Sequence, residues 1–473
     1  MMKELVSKTG NLGVYAVALF LLLCLLLGLV KYTLPQSPIV LLFSAIMFGA
    51  LWYVRRRDVH AKISNRNFWA IVATLLASTF CVEAYIVNYV PFIWASDPQT
   101  CMKQAEYMLT TWALEPDFLD YFYLYPHNIN IIVLLGILYK LLGDYTLVIY
   151  VFLLWVNISS LLACLTIRNL TGNNGVSILV LLLLQIFCIL TTRTYMPYTS
   201  NLALLFPILL IYVYTTNLST TKKAILIPLI AALGWQAKLT SLIAFIAIAV
   251  TETIRYMMNN KLYTKKEIVI AIVSAIISFA LCIGLKTISW NSLNYQQDDN
   301  RYRTFAYYLF LGQNTQSGGQ WNAEYVNRGD LTAPSKERNA YYYSEAKRDF
   351  MERGILGNIK FYTAKTAICW GCTTMDYTRF DGKDNNVVFI FRHCIWFFIF
   401  ACAMLSVFIC RNRYNLAMIL TLTGVMIYLF LSEGSFTYVI MFSPIVFAMA
   451  GITLSFYTRK NKNEEGFNTC SVL

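Results

Sequence analysis

Residues Leu12–Val30 read LGVYAVALFLLLCLLLGLV, nineteen residues without a single charge. At the rise of an α-helix this run is about 28 Å long, close to the depth of a bilayer's hydrocarbon core. A second apolar run, Ile39–Val54, follows at once and ends on Arg55-Arg56-Arg57. Short Lys/Arg-rich loops stay on the cytoplasmic side, so the two runs read as a hairpin with only Lys31–Ser37 outside. The first run is too long for a signal-peptide core and carries no A-x-A site, so it reads as a retained span.

The rest of the chain repeats the pattern. Of 473 residues, 58% are hydrophobic and 13% charged, with a mean hydropathy of +0.55. A soluble surface cannot be covered from so few charges, which excludes a soluble globule. Disordered, collagen-like and coiled-coil readings fail on the same composition. The net charge of +13 comes from loops beside apolar runs. Arg55–Arg66 contributes +4 (Arg55, Arg56, Arg57, Lys62 and Arg66 against Asp58), and Arg255–Glu267 contributes +3 (Arg255, Lys261, Lys265 and Lys266 against Glu267). Arg411, Arg413 and the basic start of the tail at Arg459 add to the same side. This is the positive-inside bias, and a nucleic-acid role has little support.

Further apolar runs are Phe68–Tyr89, Asn130–Leu142, Thr146–Ile167, Val176–Leu190, Leu202–Tyr214, Ala224–Trp235, Leu239–Ile254, Ile268–Ile288, Val387–Cys410, Leu416–Leu431 and Tyr438–Phe456. The expected fold is all-α, a polytopic transmembrane bundle of about 11–13 helices. If every run crossed, Arg168 and Lys222-Lys223 would fall outside; treating Asn130–Leu142 as re-entrant or juxtamembrane returns them to the inner face. The organisation expected is a transmembrane module over 1–290 with a first outer loop at 91–126, a large outer segment over 291–385, C-terminal spans over 386–458 and a basic cytoplasmic tail over 459–473. The outer segment carries 12 Lys/Arg against 11 Asp/Glu and reads as a small mixed subdomain. No internal repeat stands out, so the usual sign of an inverted-repeat transporter is missing.

Most of the 12 cysteines lie inside apolar runs, where the thiol is a small apolar filler. Cys101 and the Cys369-Trp-Gly-Cys372 pair fall in the outer loops. A lone C-x-x-C lacks the second pair of a structural zinc site, and packing cysteines or one local disulfide is the plainer reading.

Polarity outside the inner loops concentrates in a few places. The first outer loop holds Pro91-Phe-Ile-Trp-Ala-Ser-Asp97-Pro98. A carboxylate at the membrane–water boundary, beside Phe92 and Trp94, suits proton removal from a hydroxyl. Asp followed by Pro is also a good helix start, and both readings can hold, because a cap fixes the carboxylate in place. The loop ends in Tyr121-Phe-Tyr-Leu-Tyr125-Pro126-His127-Asn128. Most of these aromatics read as interfacial anchors. Tyr125, His127 and Asn128 are candidates to line a site, whereas Glu115, Asp117 and Asp120 read as a solvated face. Arg193 and Lys238 interrupt apolar runs, where cations are costly and suit a phosphate diester. For Arg193 the competing reading is snorkelling to head groups. Glu433, in Ser432-Glu433-Gly-Ser-Phe-Thr-Tyr438, lies between the last two runs and reads as a site residue or a turn residue. No nucleophile elbow, metalloprotease helix, P-loop or Rossmann fingerprint occurs, and three histidines are too few for a histidine metal cluster.

These pieces together resemble the GT-C superfamily of polytopic glycosyltransferases, which use polyprenyl-phosphate-linked sugars. Protein O-mannosyltransferases, the aminoarabinose transferase of lipid A and related enzymes of Gram-positive bacteria belong to it. The likeness runs from about Phe68 to Pro444. It rests on the Asp97 loop, on Tyr125-Pro126-His127-Asn128, on Lys238 in Ala-Lys-Leu-Thr, and on Leu311-Gly-Gln-Asn-Thr-Gln-Ser-Gly318-Gly319-Gln-Trp-Asn-Ala-Glu324 followed by Arg353-Gly-x-x-Gly357 and Lys365. The resemblance implies that Asp97 is the catalytic base. Family members often carry a second acid, but Arg193–Asn201 contains no Asp, and Tyr325 stands where related sequences commonly have one. No bound cofactor is implied, and a divalent metal stays open.

The expected function is therefore transfer of a sugar from a polyprenyl-phosphate donor to a hydroxyl of a cell-wall or surface glycan, or of a glycolipid, on the extracytoplasmic face of a bacterial cytoplasmic membrane, with inversion. Asp97 would take the proton, and Lys238 with Arg193 or Arg301 would meet the departing phosphate. Tyr125, His127, Asn128, Trp321, Glu324 and Glu433 would bind substrate, with Trp321 and Tyr341–Tyr343 stacking on sugar faces. The expected partners are the lipid-linked donor, the acceptor and membrane lipids. A lipid-linked-sugar flippase or transporter would instead place ionisable residues along a path through the spans, and a glycan-repeat polymerase would surround the polymer with arginine-rich outer loops.

Overall fold

The computed structural model describes residues 2–32, 37–57, 63–90, 97–258, 260, 262–298, 301–324, 326, 335–371, 379–380, 383–410 and 412–458. Phe92, Trp94, Lys62, Tyr325, Arg328, Cys372, Arg411 and the tail 459–473 lie outside the described residues.

Eight described helices contain a stretch long and apolar enough to cross a membrane. They are α1 (Met2–Tyr32), α2 (Ser37–Arg57), α3 (Asn65–Tyr89), α7 (Tyr145–Thr171), α11 (Leu242–Met257, with the 3-10 turn Leu239–Ser241 before it), α12 (Lys265–Ser292), α15 (Asn386–Ile409) and α16 (Arg413–Leu431). Three apolar helices are shorter: α8 (Asn174–Ile189), α9 (Thr199–Thr215) and α18 (Ser443–Tyr457). Between them lie α4 (Asp97–Thr111), α5 (Leu119–Leu124), α6 (Ile129–Leu142), α10 (Thr220–Ala237), α13 (Phe305–Gln313), α14 (Ser335–Trp370, broken at Gly354) and α17 (Phe436–Ile440). The protein is an all-α, multi-pass integral membrane protein.

Local chemistry sets the helix starts. Asp144 accepts from the Thr146 amide to open α7, and Thr264 and Glu267 form a reciprocal capping box on α12. The run expected at Asn130–Leu142 is the fourteen-residue helix α6. It meets the preceding helical segment at a bend of 114°, and at about 21 Å it is shorter than a bilayer core. The run expected as one span over Tyr438–Phe456 is two helices, α17 and α18, because Pro444 cannot continue a helix and starts a new one.

The core is built on α15 and α18, with α7, α8 and α9 around them. Of the apolar stretch in α15, 78% is buried, against 11% in α12, so α12 presents its side chains to lipid. Segment 291–385 is expected as a small mixed subdomain. Its described residues are helical except for a two-residue hairpin, Arg379–Phe380 against Lys383–Asp384. Within it α14 packs on α13, and α14 also packs on α1 of the first module. At Gly28 of α1 a Cβ would fall 2.5 Å from the Ala367 carbonyl oxygen, a close helix–helix approach that only glycine permits.

The spans are less free of ionisable groups than the sequence suggests. Glu83 of α3 is buried, and Asn157 Nδ2 of α7 donates to its Oε2 at 2.6 Å. Gln185 of α8 donates in turn to Asn157 Oδ1 at 3.2 Å. Arg392 and His393 of α15 are buried as well. Cys369 is a free thiol, as is Cys101.

Candidate functional site

At one end of the bundle, breaks between helices converge on a cavity of about 290 Å³. Asp97, first residue of α4, lines it from one side. Tyr125 and His127 enter from the break between α5 and α6, where the chain turns through a 3-10 segment at Pro126–Asn128. Arg193 lies in the 3-10 turn Thr192–Tyr195 between α8 and α9, and Tyr198 immediately precedes α9. Lys238 adopts an extended backbone at the end of α10. Glu433 sits between α16 and α17, with Tyr438 one turn further on. Tyr307 and Tyr308 of α13, with Trp321, close the remaining side. A helix break frees side chains to point along the bundle axis rather than into lipid, which is why so many polar groups meet here.

Hydrogen bonds hold the Asp97 side. Tyr198 Oη lies 3.2 Å from Asp97 Oδ2 and 3.3 Å from Asn128 Oδ1, so its one proton serves either acceptor. Asn128 Nδ2 donates to Tyr121 Oη at 2.6 Å. Opposite, the Lys238 ammonium stands 4.7 Å from the centre of the Tyr438 ring, a cation–π contact.

Lys238 and Glu433 sit deep among protein atoms. Burial pulls the Lys238 ammonium down to about 8, with Arg193 pressing the same way and Asp97 and Glu433 opposing. Burial pushes the Glu433 carboxyl up to about 7, helped by Asp97 and opposed by Lys238, Lys365 and Arg193. Two carboxylates and two cations thus share one cavity, and burial draws the proton affinities of Lys238 and Glu433 toward neutrality.

The Gly-Gly segment supports this wall from behind. Lys365 Nζ, buried, donates to the carbonyls of Gly312 at 2.7 Å and Ser432 at 2.6 Å, tying the α13 end to the Glu433 loop. The Gly434 amide donates to the Gly319 carbonyl at 2.7 Å. Gly319 has φ +76°, and a Cβ there would fall 2.7 Å from the Gly312 carbonyl oxygen and 2.8 Å from Lys365 Cε. Arg353 donates to the Gln313 carbonyl at 2.5 Å and to its side-chain Oε1 at 2.7 Å. Of the positions singled out in the sequence, Lys365 therefore braces the Glu433 loop and Arg353 braces the end of α13.

Of the residues expected at a site, Asp97, Lys238, Arg193, Tyr125, His127, Trp321 and Glu433 line the one cavity. Asn128 is buried behind it and holds Tyr198. Arg301 is not in the lining: it pairs at 2.9 Å with Asp120, which is solvent-exposed as expected, and lies over Tyr123. Glu324 is exposed and outside the lining. Of Tyr341–Tyr343, Tyr342 packs on Tyr307 and Phe310, and Tyr343 is exposed away from the cavity. Tyr198, Tyr307, Tyr308 and Tyr438 also line the cavity, and of these only Tyr198, in the interruption that holds Arg193, carries a sequence signal. Among the described residues, no three or more His, Cys, Asp or Glu side chains are grouped to hold a metal ion.

No curated protein is significantly similar to the chain. Residues 26–375, which run from α1 past the end of α14 and contain Asp97, Arg193, Lys238 and Lys365, match a family model described as a conserved hypothetical integral membrane protein. That match covers well over half of the sequence, and the chain belongs to this family of integral membrane proteins.

Proposed function

We propose that this protein is a membrane glycosyltransferase that moves a sugar from a polyprenyl-phosphate donor to a hydroxyl of a glycan or glycolipid, inverting the anomeric carbon. The observation that carries the reading is the meeting of Asp97, Lys238 and Arg193 in one cavity, delivered from three separate helix breaks. The donor already holds a good leaving group, so the reaction requires a base and a positive field, without a nucleotide. Asp97 takes the acceptor proton as the oxygen attacks C1. The C1–O bond to phosphate breaks on the opposite side, and the phosphate leaves with the electron pair toward Lys238 and Arg193. Tyr198 orients the Asp97 carboxylate, and Trp321 and Tyr125 offer ring faces to the sugar.

The direction of the site in the membrane follows the positive-inside bias. α10 runs from Lys222-Lys223 to Lys238, α12 from Lys265-Lys266 to Ser292, and α16 from Arg413 to just before Glu433. In each, the basic end is opposite the cavity, which argues for an extracytoplasmic site in a bacterial cytoplasmic membrane.

A second assignment of the base has its own support. Glu433 is drawn up to about 7, near a working pH, where a general base is most effective. The purified protein incubated with a polyprenyl-phosphate sugar and a hydroxyl acceptor should release free polyprenyl phosphate. Asp97→Asn should abolish release while expression stays normal; full activity in that variant removes the Asp97 assignment, and loss only in Glu433→Gln moves the base to Glu433. Translocation of the intact lipid-linked sugar without release of polyprenyl phosphate would favour a flippase.

A further inference from the structure

Segment 291–385 reads in the sequence as polar, yet α14 carries a cluster of apolar side chains that the fold leaves uncovered. The helix breaks at Gly354, whose φ of +59° a residue with a side chain rarely adopts. Around this elbow Met351, Ile355, Leu356 and Ile359 are exposed, Ile355 by 82% and Leu356 by 73%. Apolar surface gathered in this way marks a contact with another phase or molecule.

Contacts along α14 fix the depth of the elbow. The Trp370 carbonyl accepts from Trp396 Nε1 at 2.6 Å, and Trp396 lies ten residues, about 15 Å, inside the start of α15. Eight residues before Trp370, the Tyr362 ring is centred 4.8 Å from that of Phe430, in the last turn of α16. α14 therefore climbs from within the bundle to the edge of a membrane-spanning helix. Ile359 stands at most about 5 Å beyond Tyr362 along the helix, and Ile355 about 11 Å. A head-group layer is about 5–8 Å deep on each side of the hydrocarbon, so the elbow falls at that layer even if α14 stood upright.

The elbow also lies on the lipid side of the bundle. Leu356, Lys360, Thr363 and Ala367 follow one another at helical spacing and share one face of α14. At Ala367 that face meets Gly28 of α1. α1 is itself open to lipid at Leu23, Leu26, Leu27 and Val30. The exposed residues of the elbow thus continue the apolar belt of α1, and Lys360, exposed beside them, is long enough to reach head groups.

We propose that the elbow of α14 is seated in the bilayer, with Met351, Ile355, Leu356 and Ile359 inserted into the leaflet on the cavity side. A second copy of the chain would also cover apolar surface, but it would have to take Lys360 into the contact, where lysine is disfavoured. A leaflet accepts both, acyl chains against the isoleucines and head groups against the ammonium. Seated there, the elbow anchors the helix that carries Arg353 and Lys365, the braces of the α13 end and of the Glu433 loop. Lipid contact at the elbow is independent of the chemistry in the cavity.

The test puts the photo-crosslinker p-benzoylphenylalanine in place of Ile355, or of Leu356, in the protein held in phosphatidylcholine nanodiscs, and reads adducts by mass spectrometry after illumination. Both positions are exposed, so the bulky ring displaces no packed side chain. Ile276, exposed on the membrane-spanning α12, and Asp117, exposed in the first loop, serve as the lipid and water references. An adduct with phosphatidylcholine should form at Ile355 or Leu356 with a yield at least about tenfold above that at Asp117, the preference that burial of one isoleucine in lipid carries. Yields at both positions that fall to the Asp117 level while Ile276 still labels overturn the proposal. So does an adduct joining two copies of the chain in place of lipid, which would assign the elbow to a contact between copies.

Discussion

Lys223 and Lys238 stand on one helix, fifteen residues and about 22 Å apart, yet their surroundings differ in kind. Lys238 shares a polar cavity with Arg193, Asp97 and Glu433, two cations against two carboxylates. Lys223 donates to the Tyr214 carbonyl and, with Glu252, lines one end of an apolar groove of about 380 Å³ between α10, α11 and α12. The balanced end can pass protons among its own groups and stabilise charge that shifts during a reaction. The other end gives Lys223 a backbone carbonyl as its acceptor among largely apolar walls. A third lysine, Lys365, shows a further outcome: with two backbone carbonyls as acceptors it is a brace. Charge balance and wall chemistry, rather than a buried cation as such, separate the three.

The largest contrast is expected from Asp97→Asn, which should slow release of polyprenyl phosphate by about 10²–10⁴-fold, the usual contribution of a general base. Lys223→Gln measured beside it should leave that rate unchanged. Equal losses in both would erase the distinction between the two ends. Next comes Lys238→Gln, with a loss of about 10²–10³-fold, as for removal of one preorganised group that meets developing charge. Lys365→Met strands two buried carbonyls at about 1–3 kcal/mol each. It should lower the melting temperature and the turnover together, whereas Lys238→Gln should lower turnover alone.

The sequence made much of this legible because the membrane imposes so few solutions. Uninterrupted runs such as Leu12–Val30 and Val176–Leu190 could only be helices, and Arg193 and Lys238, which separate such runs, lie at breaks. Breaks on one side of the membrane then meet, which brought Asp97 and Glu433 to them across more than three hundred residues of chain. What stayed hidden depends on partners distant in sequence. Arg301 looked free to meet a phosphate, but Asp120 holds it. Tyr198 and Tyr438 did not stand out, because an aromatic at the membrane surface reads the same whether it faces lipid or a cavity. Glu83 was lost inside an apolar run, since one carboxyl barely lowers the average over α3 and its partner Asn157 is on another helix. The start of α18 was the avoidable miss: Pro444 was there to be read.

The smallest effect separates the two ends by pH. In the folded chain Glu433 is raised from its ordinary 4.5 to about 7, first by burial and then by Asp97. Between those values the folded chain holds a proton that the unfolded chain has released, so stability falls as pH rises through this window. Lys238 is lowered from 10.5 to about 8. There the unfolded chain holds the proton that the folded chain has lost, so stability rises with pH from about 8 upward, and below 8 it adds no slope. The cavity end is therefore least favourable to folding between about 7 and 8, where both groups are charged. Glu433→Gln should flatten the fall of the melting temperature between pH 5 and 7, a change of a few degrees for a chain of this size. It should leave the rise above pH 8 in place. Glu252→Gln, at the groove end, should leave the acid slope as in the wild type. If that slope vanishes in Glu252→Gln and persists in Glu433→Gln, the acid-side titration belongs to the lipid-facing end, and the contrast between the two ends of α10 is reversed.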